Sequence, residues 1–129
     1  MSVLILVVDD EPDVEMLFRQ QFRHDLRAGR FTMEFAQSAP DALQCISDAR
    51  NASLILILSD INMPGMSGLD LLQRIKTTFE KPPPVMMMIT AYGDRENHEH
   101  ALSLGADDFL TKPVDFTLLK EKIKTFGVA

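Results

Sequence analysis

The sequence predicts an α/β fold, a parallel sheet with helices packed on both faces. Strand-length apolar runs alternate with amphipathic segments from one end of the chain to the other. The first run, Val3–Val8, is apolar at every position, as in a strand covered on both sides. Acids, a hydroxyl and a lysine then stand where these runs stop or follow them closely, at Asp9-Asp10-Glu11, Asp60, Thr90 and Lys112. In open sheets of this kind, ligands sit beyond the carboxyl ends of the strands.

Each element has its own signal. Pro12 suits the first turn of a helix, where its missing N–H costs nothing, and Val14, Leu17, Phe18 and Phe22 then share one face. Arg27-Ala28-Gly29-Arg30 reads as a turn, and residues 31–36 as a second strand. Ser38 with Asp41 marks a capped helix start, with Ala42, Leu43, Ile46 and Ala49 as the buried stripe. Residues 54–59 form the third strand, which ends at Asp60. The next helix buries Leu69, Leu72, Ile75 and Phe79. Pro82-Pro83-Pro84 ends it and leads to a fourth strand over 85–89. A fourth helix over 95–104 has few large apolar residues, and Gly105 supplies its left-handed stop. Residues 109–111 make a short fifth strand, and a fifth helix buries Phe116, Leu119, Ile123 and Phe126.

Length and composition narrow the class. A chain of 129 residues, 46% hydrophobic, fits a single domain over 1–129 with a real core, either whole or cut from a longer regulator. No apolar run approaches the ~18 residues of a membrane span, and acids follow Val8 too soon for a signal peptide. One cysteine, Cys45, rules out an internal disulfide and a zinc framework. A cytoplasmic location without membrane contact is the expectation. The net charge of −6 argues against direct nucleic-acid binding by this domain and suits a cation site and a protein partner.

Asp9, Asp10 and Asp60 at neighbouring strand ends would repel one another unless a cation or a proton sits among them. Magnesium takes such oxygen ligands and leaves positions for substrate oxygens. Asp60 is the candidate nucleophile, since a carboxylate can form an acyl phosphate. Lys112 could pair with a phosphoryl oxygen and Thr90 could donate to another. Taken singly, each residue reads equally well as a helix cap or a surface group; one at each strand end is a different matter.

The chain resembles the receiver domains of bacterial two-component response regulators, of the chemotaxis-regulator type. The likeness covers essentially the whole chain. It rests on Asp9-Asp10, on Asp60 with Met63-Pro64-Gly65-Met66-Ser67-Gly68, on Thr90-Ala91, and on residues 105–113, which read Gly-Ala-Asp-Asp-Phe-Leu-Thr-Lys-Pro. The resemblance implies a flavodoxin-like, doubly wound sheet of order 2-1-3-4-5. It makes Asp60 the acceptor of a phosphoryl group from a sensor histidine kinase or phosphotransfer protein. Mg²⁺ would be held by Asp9, Asp10, Asp60 and the backbone carbonyl of Asn62. Lys112, Thr90, Ala91 and Phe109 would bind the phosphoryl group or carry the switch. The Lys112-Pro113 bond would be cis. Output would pass through helix 4, strand 5 and helix 5 to an unidentified domain or partner, or to a second copy as a homodimer. On this reading the chain is not an enzyme beyond its own phosphorylation and dephosphorylation.

Two other functions compete. A magnesium-dependent phosphohydrolase with Asp60 as covalent nucleophile would want a general acid two residues on, where Asn62 stands. A phosphorylation-independent interaction module would be expected to have lost an acid or the lysine, and neither is lost.

Several signals read as structural. His98-Glu99-His100 offers no shared helix face for a metal and reads as a solvated surface; His24 reads as exposed near a helix end. Gly65-Met66-Ser67-Gly68 lacks the basic groove of an RNA-binding loop. Met86-Met87-Met88 reads as core packing and Cys45 as an inert thiol. In the resembled family, the positions of Asn62 and Tyr92 line the approach of attacking water, so the bulky Tyr92 should lengthen the phosphoryl lifetime. A Tyr92→Ala variant is expected to lose its phosphoryl group faster than the parent in a timed decay assay; an unchanged rate would remove that role.

Overall fold

The fold was obtained as a computed structural model, and the residues described are 3–49, 54–63, 65–78, 85–90 and 95–126. Five strands, β1 (Val3–Val8), β2 (Thr32–Ala36), β3 (Leu54–Asp60), β4 (Val85–Thr90) and β5 (Asp108–Thr111), form one parallel sheet of order β2-β1-β3-β4-β5. Among the described residues six helices accompany them: α1 (Asp13–Gln21), α2 (Arg23–Arg27), α3 (Ala39–Asp48), α4 (Gly68–Thr78), α5 (Arg95–Ser103) and α6 (Phe116–Thr125). The expected fourth and fifth helices are thus α5 and α6.

Period-2 side-chain alternation divides the core between the two faces of the sheet. Leu6, Val8, Ile57, Met86 and Met88 point to one face and meet Ala42 and Ile46 of α3, Leu72 and Ile75 of α4, and Ala101 of α5. Ile5, Val7, Leu56, Leu58, Met87 and Ile89 point to the other and meet Phe18 of α1, Phe22, and Leu119 and Ile123 of α6. The methionine run is therefore core on both sides, with each thioether fully buried. Rings knit the second face: Phe18 lies edge-on to Phe116 at 5.1 Å and stacks with Phe22 at 6.1 Å. Such pairs are worth about 0.5–1.5 kcal/mol beyond burial.

Two expectations need correction. The first helix is broken at Phe22, whose backbone (φ −105°, ψ 15°) leaves the helical region while its ring packs against Phe18, Phe31 and Phe116. Bonding continues through the break, from Phe22 N–H to Phe18 O and from Leu26 N–H to Phe22 O. Leu17, placed on the buried face by its spacing, is 45% exposed, because the sheet contacts Val14, Phe18 and Phe22 at successive fourth positions. On α4, Leu69, Leu72 and Ile75 are buried as expected, Leu71 is fully buried beside them, and Phe79 lies outside the described residues.

The β3–α4 connection fixes the chain at the edge that matters. Gly65 has φ +76°, a left-handed conformation that glycine adopts without cost. Ser67 starts α4 with a reciprocal cap: its hydroxyl accepts from Asp70 N–H at 3.2 Å, and its own N–H donates to the Asp70 carboxylate at 3.2 Å. Gly68 N–H donates to Ile61 O at 2.9 Å. A Cβ at Gly68 would collide with the backbone carbonyl of Asp60 and lie 2.8 Å from Ile61 Cα. Gly68→Ala should therefore force the backbone at Asp60 to move, at a cost of about 1–3 kcal/mol. Denaturant unfolding would read this as a lowered midpoint with unchanged slope; an unaltered midpoint would mean that the loop yields freely.

Candidate metal and phosphoacceptor site

Strand register assembles the site. Val8 is paired with Ser59, so the next residues, Asp9 and Asp60, emerge side by side at the carboxyl edge of β1 and β3. Asp60 is in turn level with Ile89 on β4, and Thr90 follows. Thr90 is level with Thr111 on β5, and Lys112 follows, its N–H donating to Thr90 O at 2.9 Å. Each of these side chains is thus placed by the ladder beneath it.

Asp9, Asp10 and Asp60 each offer a carboxylate oxygen within 4.8 Å of the others, the one such acidic group among the described residues. Asp60 is 4% exposed and anchored at both oxygens. Oδ2 accepts from Lys112 Nζ at 2.8 Å, and Oδ1 accepts from Asn62 N–H at 3.2 Å. Asp9 accepts from Glu11 N–H at 2.9 Å, while Asp10 is exposed. Burial raises the Asp9 carboxyl above its ordinary pKa; the Glu11 N–H and Lys112 oppose the rise, and the charges of Asp60 and Asp10 add to it. For Lys112, burial pulls its pKa down, but the hydrogen bond and charge of Asp60, with Asp9 and Glu11, outweigh that and leave it raised. Lys112 stays a cation facing the acids.

The donor set suits a hard divalent ion: all oxygen, anionic, with one ligand exposed to the approach of a further group. It contains no sulfur or imidazole that would favour a softer metal.

Thr90 is buried, and its hydroxyl donates to Leu110 O at 3.3 Å, toward β5. Phe109 is half-buried and packs against the α3, α4 and α5 face. The Lys112-Pro113 peptide is cis. Asn62 is exposed. Ala91, Tyr92 and Pro64 lie outside the described residues.

Of the side signals, His24 and His100 are exposed, whereas His98 is half-buried and stacked on Phe109, so the solvated reading fails for it. The Cys45 thiol is pushed above its ordinary pKa by burial and by Glu34, Asp41 and Asp48, which disfavours the reactive thiolate. Sequence reasoning gave no separate role to Asp107. Its carboxylate holds Lys76 Nζ at 2.8 Å and Met86 N–H at 2.8 Å, tying the α5–β5 turn to α4 and β4. Its acidic place in the 105–113 motif was the available signal.

Comparison with known proteins agrees with this geometry. Residues 5–124 match the family described as Response regulator receiver domain. The chain is 38% identical over 120 residues to Response regulator protein PilR of Pseudomonas aeruginosa, covering 93% of this chain and 25% of that one. It is 32% identical over 122 residues to Chemotaxis protein CheY-3 of Vibrio cholerae, covering 95% of this chain and 89% of that one. A response regulator receiver protein from Pseudomonas putida superposes with TM-score 0.83 at 25% identity, over 97% of this chain and 98% of that one. The chain therefore belongs to the receiver-domain family of two-component response regulators. It spans between a quarter and a half of several curated relatives, 25% of PilR and 45% of Response regulator MprA of Mycobacterium ulcerans.

A raised folded-state pKa at Asp9 means that its ionised form is disfavoured by folding. That cost is absent below the ordinary carboxyl range and appears as pH rises through the raised value. Asp9→Asn keeps an acceptor for Glu11 N–H and removes the charge. Its Tm near neutral pH should exceed the parent's. The gain should fade as pH falls below about 4. Added magnesium chloride should raise the parent's Tm and leave the variant's nearly still; a parent unmoved by magnesium would remove the metal site.

Proposed function

We propose that this chain is a phosphoacceptor switch, taking a phosphoryl group onto Asp60 from a phosphohistidine of a sensor kinase or phosphotransfer protein. The observation that carries the reading is Asp60 itself: nearly buried, held at one oxygen by Lys112 and at the other by a backbone N–H, with two further acids beside it. The Asp60 carboxylate attacks phosphorus, the P–N bond breaks, and the imidazole leaves with the bonding pair. Lys112 supplies positive charge to the incoming oxygens and keeps the carboxylate aligned. Asp9, Asp10, Asp60 and the Asn62 carbonyl would hold Mg²⁺, which contributes charge neutralisation to the phosphoryl oxygens when bound.

Thr90 sits one β4 residue beyond Ile89, the partner of Asp60, so its hydroxyl can exchange Leu110 O for a phosphoryl oxygen. That exchange frees the β5 backbone beside Phe109 and changes the surface of α5, β5 and α6, to which an output domain, a partner or a second copy would bind. No helix among the described residues is long and apolar enough to cross a membrane, and a cytoplasmic setting suits a kinase-fed relay. An exposed Asn62 in place of a carboxylic acid leaves no general acid for rapid turnover of small phosphoesters.

Incubation with acetyl phosphate and Mg²⁺ should add one phosphoryl group per chain by intact mass, and Asp60→Ala should add none. Continuous release of phosphate from small esters, with no stable adduct, would instead favour a hydrolase; no uptake at all would leave an interaction module.

A further inference from the structure

The closest ring pair among the described residues lies outside the acid cluster: His98 of α5 and Phe109 of β5, with centroids 3.9 Å apart and planes at 17°. The other pairs, all on the opposite face of the sheet, are 5.1–6.4 Å apart. α5 is otherwise lightly held. Ala101 is its one buried residue among those described, Asn97 and His98 are half-buried, and Leu102 is exposed. A planar ring on Phe109 is therefore a large share of the apolar contact made by the first half of this helix.

Phe109 is also next in the chain to Leu110, whose carbonyl accepts the Thr90 hydroxyl at 3.3 Å. We infer that His98 is a positioning residue for the switch: its imidazole, stacked on Phe109, holds that ring in the arrangement in which Thr90 stays bonded to β5 rather than turned toward Asp60. The inference rests on the phosphoacceptor reading above. If the β5 backbone beside Phe109 shifts when Thr90 leaves Leu110 O, as proposed above, the stack has to part, and α5 loses the contact at the same moment. One ring pair thus ties helix position to ring position, so that neither can change alone. The contact belongs to the arrangement seen here and is lost in the other, which is the condition for a residue to bias an equilibrium between two states.

An aromatic pair of ordinary strength biases such an equilibrium by about 2- to 10-fold. His98→Ala removes the ring at a half-exposed helical position where alanine is well tolerated. At saturating Mg²⁺, the half-saturating concentration of beryllium fluoride, a phosphoryl mimic, should fall by about 2- to 10-fold, with Mg²⁺ affinity alone unchanged. His98→Leu, which keeps bulk without a planar ring, should follow His98→Ala, and His98→Phe should stay near the parent. In a Phe109→Ala background, His98→Ala should have no further effect. Half-saturation equal to the parent's in both the alanine and leucine variants would overturn the inference, as would a phenylalanine variant that behaves like alanine. A parent that binds no beryllium fluoride at Asp60 would overturn the phosphoacceptor reading, and this inference with it.

Discussion

Three carboxylates forced within 4.8 Å of one another by strand register are the constraint around which this molecule is arranged. Parallel pairing of β1 with β3 leaves Asp9 and Asp60 no choice of level, because Val8 and Ser59 are already partners below them. Among the described residues one lysine answers three acids, so the cluster is undercompensated there. Burial makes this worse for Asp9, which resists ionising, while the same acids outweigh the effect of burial on Lys112 and hold it as a cation. A divalent cation relieves the imbalance, and a phosphoryl group restores negative charge to it. On the function proposed above, the cation would answer the excess of acids, and the phosphoryl group would be met by that cation together with Lys112.

Holding that deficit in place takes structure that has no chemistry of its own. Gly68 lets α4 start against the Asp60 carbonyl, and the Ser67–Asp70 cap ends the loop before the helix can drift. On the far side, Asp107 ties the α5–β5 turn to Met86 and Lys76, which anchors the strand that delivers Lys112. The short β5 would otherwise be free to slide against β4, and a slip of one residue would send Lys112 to the wrong level. Specificity of register is what these contacts supply.

The strands and the acid cluster were legible because each rests on a local signal. Val3–Val8 is apolar throughout, and Asp9, Asp60, Thr90 and Lys112 stand at or near run ends. The helices followed from apolar spacing to within a residue or two at their ends. Spacing could not say that Phe22 leaves helical geometry, where its ring joins Phe18 and also Phe31 and Phe116, the last two distant in the chain. It also placed Leu17 inward, because a stripe drawn from period alone is wider than the contact the sheet makes. His98 was misread for a related reason: helix geometry excludes a shared face with His100, but only tertiary structure brings Phe109 beneath it.

The division of stability across the molecule fits a switch. The four long strands and α1, α3, α4 and α6 bury large apolar side chains on two faces, whereas α5 contributes Ala101 and a histidine resting on a phenylalanine. Local opening is cheapest where buried apolar contact is least. A change confined to Asp60, Thr90 and Lys112 is small, and in a close-packed core it would be absorbed. On the function proposed above it would reach the surface through α5, the lightly packed element next to it, because the Thr90 hydroxyl bonds to Leu110 O, one residue along β5 from Phe109. The well-packed half of the domain fixes the acids at the sheet edge, and the proposed switch would act through the half that buries least.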